Sequence, residues 1–233
     1  MNRAEEFLRL YNKLSDYLYK KYREGRRTGF TRMVDIASAR DPLIRSFNDD
    51  LREFADLRNA IVHDRSYPNQ ILAEPNEQCM ERFKKIHEKI TSPKLVYPTF
   101  KAEIRVFYEE DNLKSALRYM KENDFSQIVV SDDDNLNLLT TEAITRWLAD
   151  RMDDIGNEMP KSTVGYALRY IDEGNFLLME RNETVYTARD TFDNSTEPIM
   201  PELCAVIITH SGKPTEKPLG IITPWDIMDI KNY

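Results

Sequence analysis

The second half of the chain predicts the same order of elements twice: strand, helix, strand, strand, helix. Two short β-branched runs, 127–131 and 204–209, each end in polar residues typical of a turn. A helical stretch precedes each run, at 113–120 and at 187–192. After each run, a second apolar strand leads through a threonine into another helix. An internal repeat constrains the fold more strongly than any single motif, and this one predicts two similar α/β units.

The junction between the last strand and the last helix is the first candidate site. An apolar strand runs from Gly220 into Thr223, which is followed by Pro224 and then Asp226. Proline is favoured at the first helical position, so Thr223 is predicted to be the N-cap. The free N–H groups of a helix start suit a phosphate, and a carboxylate beside them suits ribose hydroxyls. The alternative is a capping box, in which Asp226 reaches back to the backbone of Thr223.

Residues from about 101 to 232 resemble a tandem pair of cystathionine-β-synthase (CBS) domains, a Bateman module. The resemblance rests on the segments 124–130, 138–140, 175–179, 184–188 and 220–226. In this family the threonine contacts ribose or phosphate and the aspartate contacts the ribose hydroxyls. Thr223 and Asp226 match both positions, whereas the first repeat has Thr140 but carries Ala143 in place of the aspartate. The resemblance implies a regulatory adenosine-containing nucleotide, such as AMP, ADP or ATP, bound by Thr223 and Asp226 in the second repeat, and it requires no cofactor. It also implies Thr140 as a nucleotide-binding residue of a less complete site in the first repeat, which lacks the aspartate.

The first part of the chain, up to residue 95, is predicted to be a bundle of about four helices. Apolar residues recur at helical spacing between Phe7 and Tyr22, and again between Met80 and Ile90. Asp41 and Pro42 are predicted to begin a long helix that carries apolar residues from 43 to 62. The expected fold class is α plus α/β: a helical bundle at 1–95 and a CBS pair at 101–233, with β-α-β-β-α repeats at about 101–155 and 162–232.

Arg58, Asn59 and His63 lie near the end of this long predicted helix. Asn59 and His63 are four residues apart and share a face. One interpretation is that Arg58 pairs with Asp56 or Asp64 and that His63 is a polar residue near a helix C-terminus. The pattern also resembles the HEPN superfamily of dimerising helical bundles, which includes metal-independent ribonucleases. That resemblance implies Arg58, Asn59 and His63 as catalytic residues, an RNA substrate and a homodimer.

Two functions follow from these resemblances. In the first, the CBS pair senses an adenine nucleotide and its ligand state regulates an HEPN-like endoribonuclease. In the second, the sensor is the same, but the helical domain only dimerises or docks a partner. A purely structural interaction protein is disfavoured by the intact pair of Thr223 and Asp226.

Composition narrows the range of partners. A net charge of −7 over 233 residues argues against a broad basic face for nucleic acid, so we expect no DNA partner. No apolar run approaches the ~20 residues of a membrane span, and the N-terminus does not resemble a signal peptide, so we expect a cytoplasmic protein with no membrane partner. Cys79 and Cys204 have no cysteine or histidine at ligand spacing, so we expect reduced thiols and no metal site.

Overall fold

The computed structural model of the chain describes residues 2–22, 28–62, 74–132, 135–153, 159–194 and 203–229. The chain divides into two compact units. The first comprises Met1–Lys94 with Thr184–Thr187, and the second comprises Leu95–Glu183 with Ala188–Tyr233.

The first unit is helical. Its helices are α1 (Arg3–Tyr22), α2 (Phe30–Ser38), α3 (Pro42–Ser46), α4 (Asn48–Val62) and α5 (Glu77–Thr91). The apolar stripe of α1 is buried, and Phe7 from this stripe lies at the centre of the core. The ring of Phe83 lies 4.7 Å from that of Phe7 and 4.6 Å from that of Phe54, measured between centroids. Aromatic contacts therefore join α1, α4 and α5.

The long helix predicted after Asp41 is wrong, because the chain leaves helical geometry at Phe47 and divides into α3 and α4. Its predicted start is confirmed: the Asp41 carboxylate accepts the Leu43 N–H at 2.9 Å, and Pro42 is the first helical residue. The hydroxyl of Ser46 donates to the Leu43 carbonyl at 2.8 Å. Serine competes with the helical backbone in this way, which favours an early helix end.

The second unit contains two three-stranded sheets and short helices. Before the first sheet lies α6 (Val96–Thr99). The first sheet and its helices are β1 (Val106–Tyr108), α7 (Leu113–Asn123), β2 (Gln127–Asp132), β3 (Asn135–Thr140) and α8 (Thr141–Ala149). A 3₁₀ turn (Met159–Lys161) and α9 (Val164–Leu168) follow. The second sheet and its helices are β4 (Phe176–Glu180), α10 (Val185–Asn194), β5 (Ala205–Thr209), β6 (Gly220–Ile222) and α11 (Pro224–Asp229).

The two sheets have the same topology, with the element order that the sequence predicts. In each sheet the first two strands are parallel and the third is antiparallel to the second. Within β2, Ile128 and Val130 pack on the core beneath α7 and α8, whereas Val129 joins a separate cluster that includes Ala205 and Ile207 of β5. Since neighbouring residues of a strand face opposite sides, the two sheets pack face to face with helices on their outer faces.

Candidate functional site

Thr223 and Asp226 lie where β6 ends and α11 begins. The Oδ2 atom of Asp226 accepts a hydrogen bond from the Thr223 N–H and another from the Thr223 hydroxyl, each 2.7 Å long. This is the capping geometry that the sequence left open as the alternative to a ligand contact. The carboxylate therefore already takes the first free N–H of this helix start.

The cap uses only one of the two carboxylate oxygens. No hydrogen bond from any described residue reaches Oδ1 of Asp226, and the side chain is only half-buried. An ionised carboxylate accepts at both oxygens, so Oδ1 remains able to accept from a ligand hydroxyl. Capping and ligand binding are thus compatible at this residue.

Thr223 and Asp226 line a cleft of about 570 Å³. Its other walls are the segment 99–105, which leads into β1, and the segment 124–129, which includes the start of β2. Tyr119, Ile221 and Trp225 complete the lining. This volume lies within the range of about 300–1,000 Å³ typical of small-molecule sites.

The wall at 99–105 lies close to β6. The Ala102 N–H donates to the Leu219 carbonyl at 3.2 Å, and Lys101 forms an antiparallel bridge with Gly220. A Cβ atom at Gly220 would lie only 2.2 Å from the carbonyl oxygen of Phe100. Glycine is therefore required for the wall to come this close to the strand that carries Thr223.

Charged side chains of both signs surround the cleft. Lys101 and Arg105 supply positive charge, and Glu103 and Asp124 supply negative charge beside Asp226. The guanidinium of Arg105 lies over the rings of Phe107 and Tyr119, 4.6 and 5.0 Å from their centroids. Lys101 forms no ion pair within the described part of the chain and is exposed.

Most of the residues that line the cleft belong to a segment that matches a known protein family. Residues 100–150 match the model of the CBS domain. This segment is similar to a CBS domain. The match begins at the wall of the cleft, runs from β1 to the end of α8, and covers the first sheet with both of its helices.

Solved structures of CBS-domain proteins are also similar. One from Kribbella flavida is 14% identical, covers 56% of this chain and 92% of its own, and has a TM-score of 0.42. The CBS domain of a membrane protein from Sphaerobacter thermophilus is 13% identical, covering 64% and 96% of the two chains with a TM-score of 0.46. CBSX2, solved in complex with AMP, is 13% identical, covering 58% and 94% with a TM-score of 0.42. No curated protein matches the sequence.

Within the matched segment, Thr140 is the N-cap of α8, and its hydroxyl accepts the Ala143 N–H at 3.2 Å. Ala143 is 2% exposed and packs in the core, so this repeat presents no carboxylate at the position that Asp226 occupies in the other. Arg146 of α8 instead bonds to Glu142 at 2.5 Å and to Asp172 at 2.8 Å. The two threonine junctions therefore have different chemical surroundings.

The structure gives a partial view of the proposed catalytic residues. Arg58 of α4 is half-buried and donates to the amide oxygen of Asn59 at 3.3 Å, while Asn59 is exposed. Among the described residues Arg58 forms no ion pair with Asp56. His63 and Asp64 lie outside the described residues, so the geometry of the Arg-Asn-His set is not given by the structure.

The remaining expectations concern cysteines, metals and membranes. Cys79 and Cys204 are half-buried and are not joined in a disulfide, and burial raises the pKa of the Cys79 thiol. The described residues contain no group of three or more histidine, cysteine or acidic side chains arranged for a metal ion. Over the same part of the chain, no helix combines the length and the apolar character needed to cross a bilayer.

The sequence missed several residues of the cleft. Lys101, Arg105, Phe125 and Trp225 all line it, although no role in binding was predicted for any of them. Phe125 lies in the segment 124–130 and Trp225 in the segment 220–226, both of which support the resemblance, and Trp225 also stands between Thr223 and Asp226. Lys101, Arg105 and Phe125 come from parts of the chain about 100 residues away, which only the fold brings together.

Proposed function

We propose that residues 101–233 form a tandem pair of CBS domains that senses an adenine nucleotide in the cleft at Thr223 and Asp226. One observation carries the proposal. Among the described residues, Asp226 keeps one carboxylate oxygen without a partner in a nucleotide-sized cleft, most of whose lining belongs to the segment that matches the CBS domain. The second sheet repeats the topology of that domain, which supports treating it as the second member of the pair.

Each part of a nucleotide has a complementary group in the cleft. Oδ1 of Asp226 would accept a ribose hydroxyl, and the Thr223 hydroxyl oxygen still has a free lone pair. Lys101 and Arg105 would contact the phosphate. Hydrogen bonds to charged groups contribute about 1.5–3 kcal/mol each, so the loss of any one of these contacts should weaken nucleotide binding by about tenfold or more.

A thermal-shift panel tests the proposal. Adenosine, AMP, ADP, ATP and GMP are added to the wild-type protein and to Asp226→Ala, and each shift is measured from that variant's own melting temperature, which removes the effect of the lost cap. A ligand at 100 times its dissociation constant adds about 2.7 kcal/mol of stability. We expect an adenine nucleotide to raise the melting temperature of the wild type and to have little effect on the variant. If no adenosine compound shifts the wild type, the sensor proposal fails.

The ligand state regulates, in this proposal, the HEPN-like domain at 1–95. The first candidate activity is metal-independent cleavage of RNA in a homodimer. His63 would take the proton from a ribose 2′-hydroxyl, whose oxygen attacks the phosphorus, or would give a proton to the 5′-oxygen that leaves. Arg58 would bind the phosphoryl oxygens and the charge that builds on them, with Asn59 beside it. The products are a 2′,3′-cyclic phosphate and a 5′-hydroxyl. The observation in its favour is that Arg58 is not neutralised by Asp56 in the described part of the helix.

The second candidate is a regulator without catalytic activity, whose helical domain dimerises or docks a partner. A cleavage assay on single-stranded RNA in EDTA separates the two. The nuclease candidate predicts cleavage that is lost in both Arg58→Ala and His63→Ala. Arg52→Ala is the matched control, because Arg52 is another arginine of α4 and is paired with Asp35. Cleavage by none of the proteins at any concentration favours the regulator, and cleavage that survives in Arg58→Ala excludes these residues as its source.

A further inference from the structure

Trp225 is unusually exposed. Its side chain is 76% accessible, the highest value among the large apolar residues that the structure describes. Tryptophan is highly buried on average, and its ring makes no aromatic contact with any other described residue. Leaving so large an apolar surface in water is unfavourable, so an occupant that covers the ring would be stabilised.

The exposed ring lies in the cleft. Trp225 lines it beside Thr223 and Asp226, and Phe125, which is 48% exposed, lines it from the start of β2. The cleft therefore combines polar groups suited to a sugar phosphate with two aromatic side chains that the protein leaves uncovered. Flat aromatic bases stack on such rings with little dependence on their identity.

The two rings differ in how firmly they are held. Phe125 packs edge-on against Tyr119, with centroids 5.8 Å apart, and Tyr119 in turn packs against Phe107 at 5.4 Å. The guanidinium of Arg105 also lies over the rings of both Phe107 and Tyr119. Phe125 is thus a fixed wall, while Trp225 has no aromatic neighbour among the described residues and is free to close on a ligand.

We propose that Trp225 is the base-stacking residue of the nucleotide site and that Phe125 is the opposite wall. This inference rests on the proposed function, and it adds that affinity depends on the flat base as well as on the ribose and phosphate. It assigns specificity for a nucleotide over a sugar phosphate to Trp225, a residue between the two motif positions.

The chain offers an internal fluorescence control. Its two tryptophans are Trp225 and Trp147, and Trp147 is only 2% exposed. Acrylamide should quench Trp225 and leave Trp147 nearly unaffected.

The experiment measures acrylamide quenching of the full chain with and without AMP, ADP, ATP or ribose 5-phosphate, and measures binding of the same compounds by calorimetry. It compares the wild type with Trp225→Phe, Trp225→Ala and Met228→Ala. Met228 is a matched control because it is 53% exposed on the same helix but does not line the cleft.

We expect the adenine nucleotide that binds to protect Trp225 from acrylamide, and ribose 5-phosphate to give no protection. We expect Trp225→Ala to weaken binding at least tenfold, Trp225→Phe to keep most of the affinity because a ring remains, and Met228→Ala to bind like the wild type. If Trp225→Ala does not fold, the protection experiment on the wild type still decides the question.

Two kinds of result would overturn the inference. They differ in whether they also reject the nucleotide sensor. Unchanged affinity in Trp225→Ala, or a Trp225 that stays quenchable at saturating nucleotide, rejects the stacking role and leaves the nucleotide sensor standing. Absence of binding by AMP, ADP and ATP to the wild type rejects the sensor and the stacking role together.

Discussion

At the scale of single residues, Asp41 shows how one buried carboxylate organises the helical unit. It is 8% exposed and accepts from the Leu43 N–H, from the Lys21 ammonium at 3.1 Å and from the Tyr22 hydroxyl. Burial and this hydrogen bond together raise the pKa of Tyr22 above its ordinary value. Asp41 therefore caps α3 and fixes the end of α1 at the same time.

Replacing Asp41 by alanine should remove the cap, at about 1 kcal/mol, and leave the buried Tyr22 hydroxyl without its acceptor, at about 1–3 kcal/mol. We predict a loss of about 2–4 kcal/mol in the free energy of unfolding, measured with urea and followed by helical circular dichroism. Asp35→Ala is the control, because Asp35 forms an exposed ion pair with Arg52 and such pairs contribute at most about 1 kcal/mol. Equal losses in the two variants would show that Asp41 has no special role.

At the scale of elements, β6 depends on the absence of a side chain at Gly220. A Cβ there would lie 2.2 Å from the Phe100 carbonyl oxygen and 3.1 Å from the Cδ1 atom of Ile208. We predict that Gly220→Ala lowers the unfolding free energy by about 1–3 kcal/mol, since overpacking of this kind forces the backbone to move. Gly29→Ala is the matched control, because nothing lies within 4 Å of its added Cβ, and it should cost less than about 1 kcal/mol. A Gly220→Ala protein as stable as the control would contradict the close approach of the cleft wall.

The packing of α5 on α1 makes the stability of the folded protein depend on pH. His87 of α5 has a buried Nε2 with no hydrogen-bond partner among the described residues. Burial lowers its pKa, and the positive charges of Lys13 and Arg9 on α1 lower it further. The unfolded chain therefore takes up a proton before the folded one does, so stability is present above the ordinary histidine pKa of about 6.5 and falls as the pH drops below it.

We predict that the unfolding free energy of the wild type decreases between pH 6.5 and 5.5 by up to about 1 kcal/mol more than that of His87→Gln. Urea unfolding at each pH measures the difference. His210→Gln, which removes an exposed histidine, should follow the wild type. The interpretation of α5 is refuted if His87→Gln and the wild type lose the same stability over this interval.

At the scale of elements, one part of the fold could be predicted from the sequence and another part could not. The cap at Asp41 and the order of strands and helices in both sheets followed from local rules, because each depends on residues that are close in sequence. The break at Phe47 and the helix α2 did not, since a hydroxyl contact from Ser46 and tertiary packing decide them. Periodicity alone continued the helix through the break.

At the scale of the whole molecule, the cleft is a product of distant segments. The motif around Thr223 is readable in the sequence, but its partners Lys101, Arg105 and Phe125 reach it only because the two sheets pack face to face. The sequence predicted one difference between the two repeats, because Ala143 stands where the second repeat has Asp226. The fold adds that Arg146 is paired with acidic side chains beside Thr140, a contact that crosses from α8 to Asp172.

The central claim is that one adenine nucleotide binds each chain, at Thr223 and Asp226. Isothermal titration calorimetry of AMP, ADP and ATP with the wild type, Asp226→Ala and Thr140→Ala tests it most directly. We predict one tight site per chain in the wild type and wild-type affinity in Thr140→Ala. In Asp226→Ala we predict a loss of at least tenfold in affinity, because a hydrogen bond to a charged group is worth about 1.5–3 kcal/mol. Two equal sites per chain, or unchanged affinity in Asp226→Ala, would contradict the claim.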